Sequence, residues 1–69
     1  MTALIIKFGR SSGKMYNNVP QMREGEKLYL DGQNWEITGV MHFLDVKDIK
    51  EYVKFKIPFT RYLIRPINF

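Results

Sequence analysis

The chain of 69 residues contains no cysteine. This absence excludes disulfide bonds and thiolate metal ligands, and it is typical of a protein in a reducing compartment. No apolar run approaches the roughly 18 residues that a membrane-spanning helix needs. The first ten residues, MTALIIKFGR, lack the charged n-region and the small-residue cleavage site of a signal peptide. We therefore expect a cytoplasmic, soluble protein with no membrane partner.

Residues suited to catalysis are also scarce. His42 is the only histidine, and the only serines, Ser11 and Ser12, lie in a predicted turn. A catalytic histidine needs a nucleophile or an orienting carboxylate nearby, and a metal site needs several ligands. His42 falls in phase with Val40 and Leu44, which favours a partly buried structural histidine. We predict no enzyme, no metal site and no cofactor.

The stretch GRSSGK, residues Gly9–Lys14, has the composition of a phosphate-binding loop but departs from its pattern. The P-loop spacing is G-x-x-x-x-G-K, and this stretch is one residue shorter. Met15 stands where a P-loop has a magnesium-binding serine or threonine. We interpret the stretch as a polar hairpin turn, in which Arg10 and Lys14 are candidate contacts to an anion.

The whole formal charge of +4 comes from the C-terminal third, and no acid follows Tyr52. Such asymmetry indicates an anionic partner. Lys54 and Lys56 project from one face of a predicted strand, about 7 Å apart and in phase with Tyr52. Arg61 and Arg65 share a face of the next strand, so the pattern suits single-stranded nucleic acid or RNA. The alternative is that these charges only prevent edge pairing and aid solubility.

The centre of the predicted fold is a hairpin over Glu26–Leu44. Asp31-Gly32 between apolar runs is a strong hairpin signal. The alternative is a four-residue loop that also includes Gln33 and Asn34. Trp35 and Ile37 share one face after the turn, and the alternation then breaks at Thr38-Gly39. A β-bulge at Gly39 would restore the alternation and bend the strand sharply.

The remaining elements are short strands. In the first strand, we predict that the side chains of Leu4, Ile6 and Phe8 face the core. The segment Asp45–Glu51 is either one helical turn or a charged loop. We predict one domain, residues 1–69, with an all-β fold: a small, partly open SH3-like barrel of five or six antiparallel strands with at most one short helical turn near 45–51. The other predicted strands are Ala3–Phe8, Met15–Asn17, Tyr52–Ile57 and Thr60–Arg65.

The segment VPQMREGEKLYLDGQNWEITGVMHFLD resembles a pattern found in short uncharacterised bacterial and phage proteins, and it is also similar to the general SH3-like/KOW pattern. The resemblance implies a small β-barrel and a mobile-element origin, and it transfers no active-site residues. The residues that carry it are Val19, Pro20, Gly25, Glu26, Asp31, Gly32, Trp35, Val40, His42 and Leu44.

These observations predict a non-enzymatic binding module, most simply a small phage- or mobile-element-type protein that binds a host or assembly protein. Aromatic residues are enriched at interface hot spots. One alternative is a nucleic-acid-binding barrel that uses the basic C-terminal strands. Another is a structural subunit of an oligomer or virion that self-associates through an open barrel edge. The candidate interface aromatics are Tyr16, Tyr29, Phe59 and Phe69.

Overall fold

The computed structural model describes residues 1–43 and 58–67, and within these ranges the fold is all-β. The predicted fold class is confirmed. The predicted helical turn near 45–51, the predicted strand Tyr52–Ile57 and the candidate Phe69 lie outside the described residues. The five strands are β1 (Ala3–Lys7), β2 (Lys14–Tyr16), β3 (Lys27–Leu30), β4 (Gln33–Phe43) and β5 (Phe59–Pro66).

The strands form one sheet in the order β2-β1-β5-β4-β3, curled into a half-barrel, as expected for a partly open barrel. The sheet is not wholly antiparallel, because β1 and β5 run parallel, from Ala3 opposite Thr60 to Lys7 opposite Ile64. Parallel strands are joined by a long crossover connection, whereas short-range sequence patterns indicate only antiparallel hairpins. The expectation of antiparallel strands throughout was therefore wrong for this central pair.

The β3–β4 hairpin has a two-residue turn. Leu30 pairs with Gln33, and Asp31 and Gly32 both adopt positive φ, 53° and 82°. Positive φ at both central residues is the type I′ geometry that matches the twist of the flanking strands. The bulge is also confirmed. The pairing with β5 shifts between Ile37 and Gly39, which leaves one extra residue on β4.

The concave inner face of the sheet carries the main core, in which Trp35 is fixed by a hydrogen bond from its indole Nε1–H to the Leu30 carbonyl, 2.8 Å. The hydroxyl oxygen of the fully buried Tyr62 accepts a hydrogen bond from the Met22 amide at 3.1 Å. This bond ties the segment between β2 and β3 to the core. The buried residues of this cluster are Ala3, Ile5, Trp35, Ile37, Tyr62 and Ile64.

Strand β1 is buried on both faces, because Leu4 and Ile6 form a second cluster with Phe59 on the convex outer face. Phe59 is 3% exposed and stacks on Phe43 with ring centroids 5.0 Å apart, so the prediction of Phe59 as an interface aromatic was wrong. The prediction of Phe8 as a core residue was wrong as well, since Phe8 is 79% exposed.

Phe8 is exposed because it lies just beyond β1, which ends at Lys7. The Arg10 amide donates to the Lys7 carbonyl at 3.0 Å, and Gly9 adopts a positive φ of 83°. A turn of this kind needs a residue that tolerates positive φ at its third position. The Phe8 amide still donates to the Ile64 carbonyl at 2.7 Å, and the chain leaves the sheet directly after it, where the apolar alternation alone would have continued the strand.

We expect Tyr62→Phe to lower the free energy of unfolding by about 1 kcal/mol, because the Met22 amide loses its acceptor while the ring remains buried. Urea unfolding followed by Trp35 fluorescence measures the change. Tyr29→Phe is the matched control, since Tyr29 is 71% exposed and should change stability negligibly. Equal effects of the two substitutions would show that the Tyr62 hydroxyl does not hold the segment.

Candidate functional site

A cavity of about 200 Å³ opens between the β1–β2 loop and the β3–β4 turn. Its lining combines three basic side chains with one carboxylate, one serine and one tyrosine. We call it the cationic cavity. Its lining residues are Ile5, Lys7, Arg10, Ser12, Gly13, Lys14, Tyr16 and Asp31.

Gly13 lets the loop lie close enough to β1 to form this cavity. A Cβ atom built on Gly13 would lie 2.2 Å from the Ile5 carbonyl oxygen and 2.7 Å from Cγ1 of Ile6. No other residue fits without moving the backbone. The close approach lets Lys14 pair opposite Ile5 at the start of β2, which returns its side chain to the same face as Lys7.

Two of the charged side chains that line the cavity, Lys7 and Asp31, form an ion pair. Lys7 Nζ donates to Asp31 Oδ2 at 2.6 Å and lies 5.2 Å from the centroid of the Trp35 ring. The hydrogen bond from Lys7, its positive charge and, more weakly, the charge of Lys14 hold the pKa of Asp31 below its usual range. Within residues 1–43 and 58–67, neither Arg10 nor Lys14 has a carboxylate within ion-pair distance. The cavity therefore carries a surplus of positive charge.

A second surface lies on the outer face, where three large apolar side chains are exposed. Phe8 is 79% exposed, Met41 47% and Leu63 37%. We call these three residues the outer apolar patch. Two cavities of about 170 Å³ each flank Leu63, one beside Phe8 and one beside Met41. Gly39 leaves room for Leu63 between them, because a Cβ there would lie 3.2 Å from Leu63 Cδ1.

The four predicted basic residues that the structure describes do not converge on one site. Arg65 on the outer face is paired with Glu36, with its Nη2 2.7 Å and its Nε 3.0 Å from the same carboxylate oxygen. Arg61 lies on the same face with its guanidinium carbon 5.4 Å from the centroid of the Phe43 ring. Lys54, Lys56 and Tyr52 fall outside the described residues. Arg10 and Lys14 lie at the cationic cavity instead.

The three described aromatic candidates, Tyr16, Tyr29 and Phe59, are also dispersed. Tyr29 is exposed on the edge strand β3, as expected, and Tyr16 is half-buried at the cationic cavity. His42 is exposed, so the prediction of a partly buried histidine was wrong. Its Nδ1 lies 2.8 Å from the hydroxyl oxygen of the buried Thr60 on the neighbouring strand. This contact ties β4 to β5 and gives the imidazole a structural partner.

Sequence reasoning missed both Lys7 and Asp31 as members of a site. One signal was available for Lys7, which continues the alternation of Ala3 and Ile5 onto the buried face of β1. A lysine in phase with core residues needs a partner or an opening to water. Asp31 was interpreted as a turn residue only, because nothing local indicates that the turn faces the end of β1.

Comparison of the chain with protein-family models, with curated proteins and with solved structures finds no match. The described residues hold no group of three or more histidine, cysteine, aspartate or glutamate side chains that could bind a metal ion. No helix among them is long and apolar enough to cross a membrane. Both surfaces must therefore be interpreted from their own chemistry.

The ion pair across the cationic cavity predicts a pH dependence of stability. Because the pKa of Asp31 is lowered by folding, the pair contributes stability above the unfolded-state pKa and loses it as pH falls through the folded-state pKa. We expect the stability advantage of the parent over Asp31→Asn to be constant above about pH 5 and to fall below about pH 4. Urea unfolding at a series of pH values measures it.

Lys7→Met provides the matched control, since it removes the partner and leaves Asp31 in its turn. In a Lys7→Met background, the pH-dependent difference produced by Asp31→Asn should be much smaller, because only the weaker effect of Lys14 remains. An undiminished difference without Lys7 would mean that the Lys7 ion pair is not its main source.

Proposed function

We propose that this protein is a non-enzymatic binding module whose outer apolar patch docks a protein partner. The observation that carries the proposal is the exposure of Phe8 beside Leu63, with a cavity between them. Contiguous exposed apolar groups are uncommon on monomers and mark interaction sites, and buried aromatic anchors supply much of the energy of an interface. Phe8 is the anchor, and the two cavities beside Leu63 receive side chains of the partner.

The charges around the patch define the chemistry of that partner. Arg10 lines the cavity beside Phe8, and Arg61 lines the cavity beside Met41. No acidic residue among those described lines either cavity, and the chain carries a net charge of +4. A fitting partner presents an apolar projection flanked by carboxylates. A second copy of the chain fits less well, since the arginines of the two copies would repel one another.

The biological setting of this proposal rests on the sequence resemblance. We propose an SH3-like module of phage or mobile-element type, acting in the cytoplasm on a host or assembly protein. Self-association through a sheet edge, as in an oligomer or virion subunit, is the competing arrangement. The two edge strands of the described sheet are only three and four residues long, which limits edge-to-edge pairing.

The test places a photo-reactive phenylalanine analogue at position 8 and crosslinks the purified protein in a bacterial lysate. We expect one dominant adduct with a protein whose contacting peptide is apolar and acidic. A Leu63→Ser substitution should reduce the yield of that adduct about tenfold, because it removes the wall of both cavities.

The same analogue at position 29 is the matched control. Tyr29 is 71% exposed, close to the 79% of Phe8, and it lies on the edge strand β3, outside the outer apolar patch. Adducts of equal yield from positions 8 and 29 would contradict the proposal. An adduct between two copies of this chain would favour the oligomer-subunit arrangement instead.

Nucleic-acid binding is the second candidate function. The guanidinium of Arg61, which no described carboxylate neutralises, favours it. The Nε of Arg61 is buried without a hydrogen-bond acceptor, and its Nη2 donates to the weakly accepting sulfur of Met41 at 3.6 Å. No carboxylate in the described part of the chain pairs with it. A guanidinium held over an aromatic ring and not neutralised suits a phosphate. Lys54, Lys56, Arg65 and Tyr52 complete the set of candidate nucleic-acid contacts that the sequence pattern predicts on the basic C-terminal strands.

Anisotropy of labelled single-stranded RNA, single-stranded DNA and duplex DNA, measured at several salt concentrations, tests this second candidate. We expect Arg61→Gln to lower the slope of log affinity against log salt by about one, the contribution of one phosphate contact. Arg65→Gln is the comparison, since Arg65 is already paired with Glu36 and should change the slope less. Unchanged binding by a Lys54→Glu/Lys56→Glu variant would exclude the basic strands as the site.

A further inference from the structure

We propose that the cationic cavity is a binding site for a phosphate group. It lies on the inner side of the sheet end, whereas the outer apolar patch lies on the outer face. Lys7 and Arg10 line both this cavity and the cavity beside Phe8, but the phosphate site does not use Phe8, Met41 or Leu63, so this inference goes beyond the proposed function. The site consists of Lys7, Arg10 and Lys14, with the Ser12 hydroxyl and the ring of Tyr16 in the same lining.

Three cations reach the cavity from different parts of the chain. Lys7 comes from the end of β1, Arg10 from the loop and Lys14 from the start of β2. Like charges repel, so a folded chain places them around one opening at a cost that an anion would offset. Residues 8–14 are all exposed, which leaves the opening accessible to a ligand.

The Asp31 carboxylate is the negatively charged group that Lys7 binds in the absence of a ligand. This carboxylate accepts the hydrogen bond of Lys7 at the wall of the cavity, in an environment that favours its charged form. One carboxylate does not neutralise three cations. A bound phosphate would take up the charge of Arg10 and Lys14 and would compete with Asp31 for Lys7. The side chains of Lys7 and Asp31 are 36% and 55% exposed, so their pair is open to such competition.

The size of the cavity selects a small group. At about 200 Å³ it is smaller than the 300–1,000 Å³ pockets that enclose drug-sized ligands. One phosphate fits, and the rest of a larger molecule would remain outside. Lys14 Nζ lies 5.7 Å from the centroid of the Tyr16 ring, which places one cation against the aromatic wall of the site.

The geometry indicates binding without phosphoryl transfer. In a P-loop the phosphates sit at the N-terminus of the helix that follows the loop. Here the loop is followed by strand β2, and Met15 occupies the position of the metal-binding hydroxyl. A phosphate in this cavity would therefore be held by side-chain cations and the Ser12 hydroxyl, without the N-terminus of a helix.

The first experiment titrates the ¹⁵N-labelled protein with inorganic phosphate at constant ionic strength, using chloride as the control anion. We expect saturable shifts of the amide signals of residues 9–14 and of Asp31. Arg10→Gln and Lys14→Gln should each weaken binding at least threefold. Asp31→Asn should strengthen it at least threefold, because it removes the competing carboxylate and keeps a residue suited to the turn.

The opposite signs of these substitutions make the test decisive. Shifts that do not saturate, that chloride reproduces or that spread over all basic residues would overturn the proposal. So would an Asp31→Asn variant that binds phosphate no better than the parent. Phe8→Ser should leave phosphate binding unchanged, so failure of the protein-docking proposal and failure of this one are distinguishable.

Two further ligands separate the sources of the phosphate. A mononucleotide and a short single-stranded RNA are compared at the same ionic strength. Equal affinities would assign the site to a small phosphorylated molecule. An RNA that binds at least tenfold more tightly, with additional shifts at Arg61, would assign it to a nucleic-acid backbone. Failure of both ligands to shift residues 9–14 would overturn the site even if inorganic phosphate binds.

Discussion

The parallel ladder between β1 and β5 is the interaction on which the rest of this structure depends. The β1–β2 and β3–β4 hairpins are both local, and β5 is the only strand that joins them in the described sheet. The ladder is extended at its ends by hydrogen bonds from the Thr60 amide to the Thr2 carbonyl and from the Phe8 amide to the Ile64 carbonyl. An isolated two-stranded hairpin is marginally stable in water, so neither half would hold its shape without this ladder.

Both candidate surfaces arise where this ladder ends. Consecutive residues of a strand point to opposite faces, so Lys7 turns inward to the cationic cavity while Phe8 emerges on the outer side. The turn at Gly9 then stops β1 before a further residue can pack. One strand end thus presents an amine and an aromatic ring on opposite sides of a thin sheet. The cationic cavity and the cavity beside Phe8 have Lys7 and Arg10 in common, and their other lining residues differ.

Local sequence signals predicted the parts of the fold that local physics determines. The Asp31-Gly32 turn, the bulge before Gly39 and the buried face of Trp35 and Ile37 follow from dihedral preference and alternation. The parallel pairing could not be predicted this way, because it joins strands more than fifty residues apart. Phe59 illustrates the consequence. We predicted it as an interface aromatic, whereas the pairing of β5 with β1 and β4 packs it in the outer cluster with Leu4 and Ile6.

Asp31 shows why the candidate site was harder to predict than the fold. A turn of this type accepts asparagine, aspartate or glycine at its first central position, so the backbone does not require a carboxylate there. What distinguishes aspartate from asparagine is the charge, and that charge is used by Lys7, which lies 24 positions earlier in the chain. The negative charge matters only because the curled sheet brings the β3–β4 turn to the end of β1. A surplus of cations around that single carboxylate is a property of the assembled fold, and no single segment of the sequence contains it.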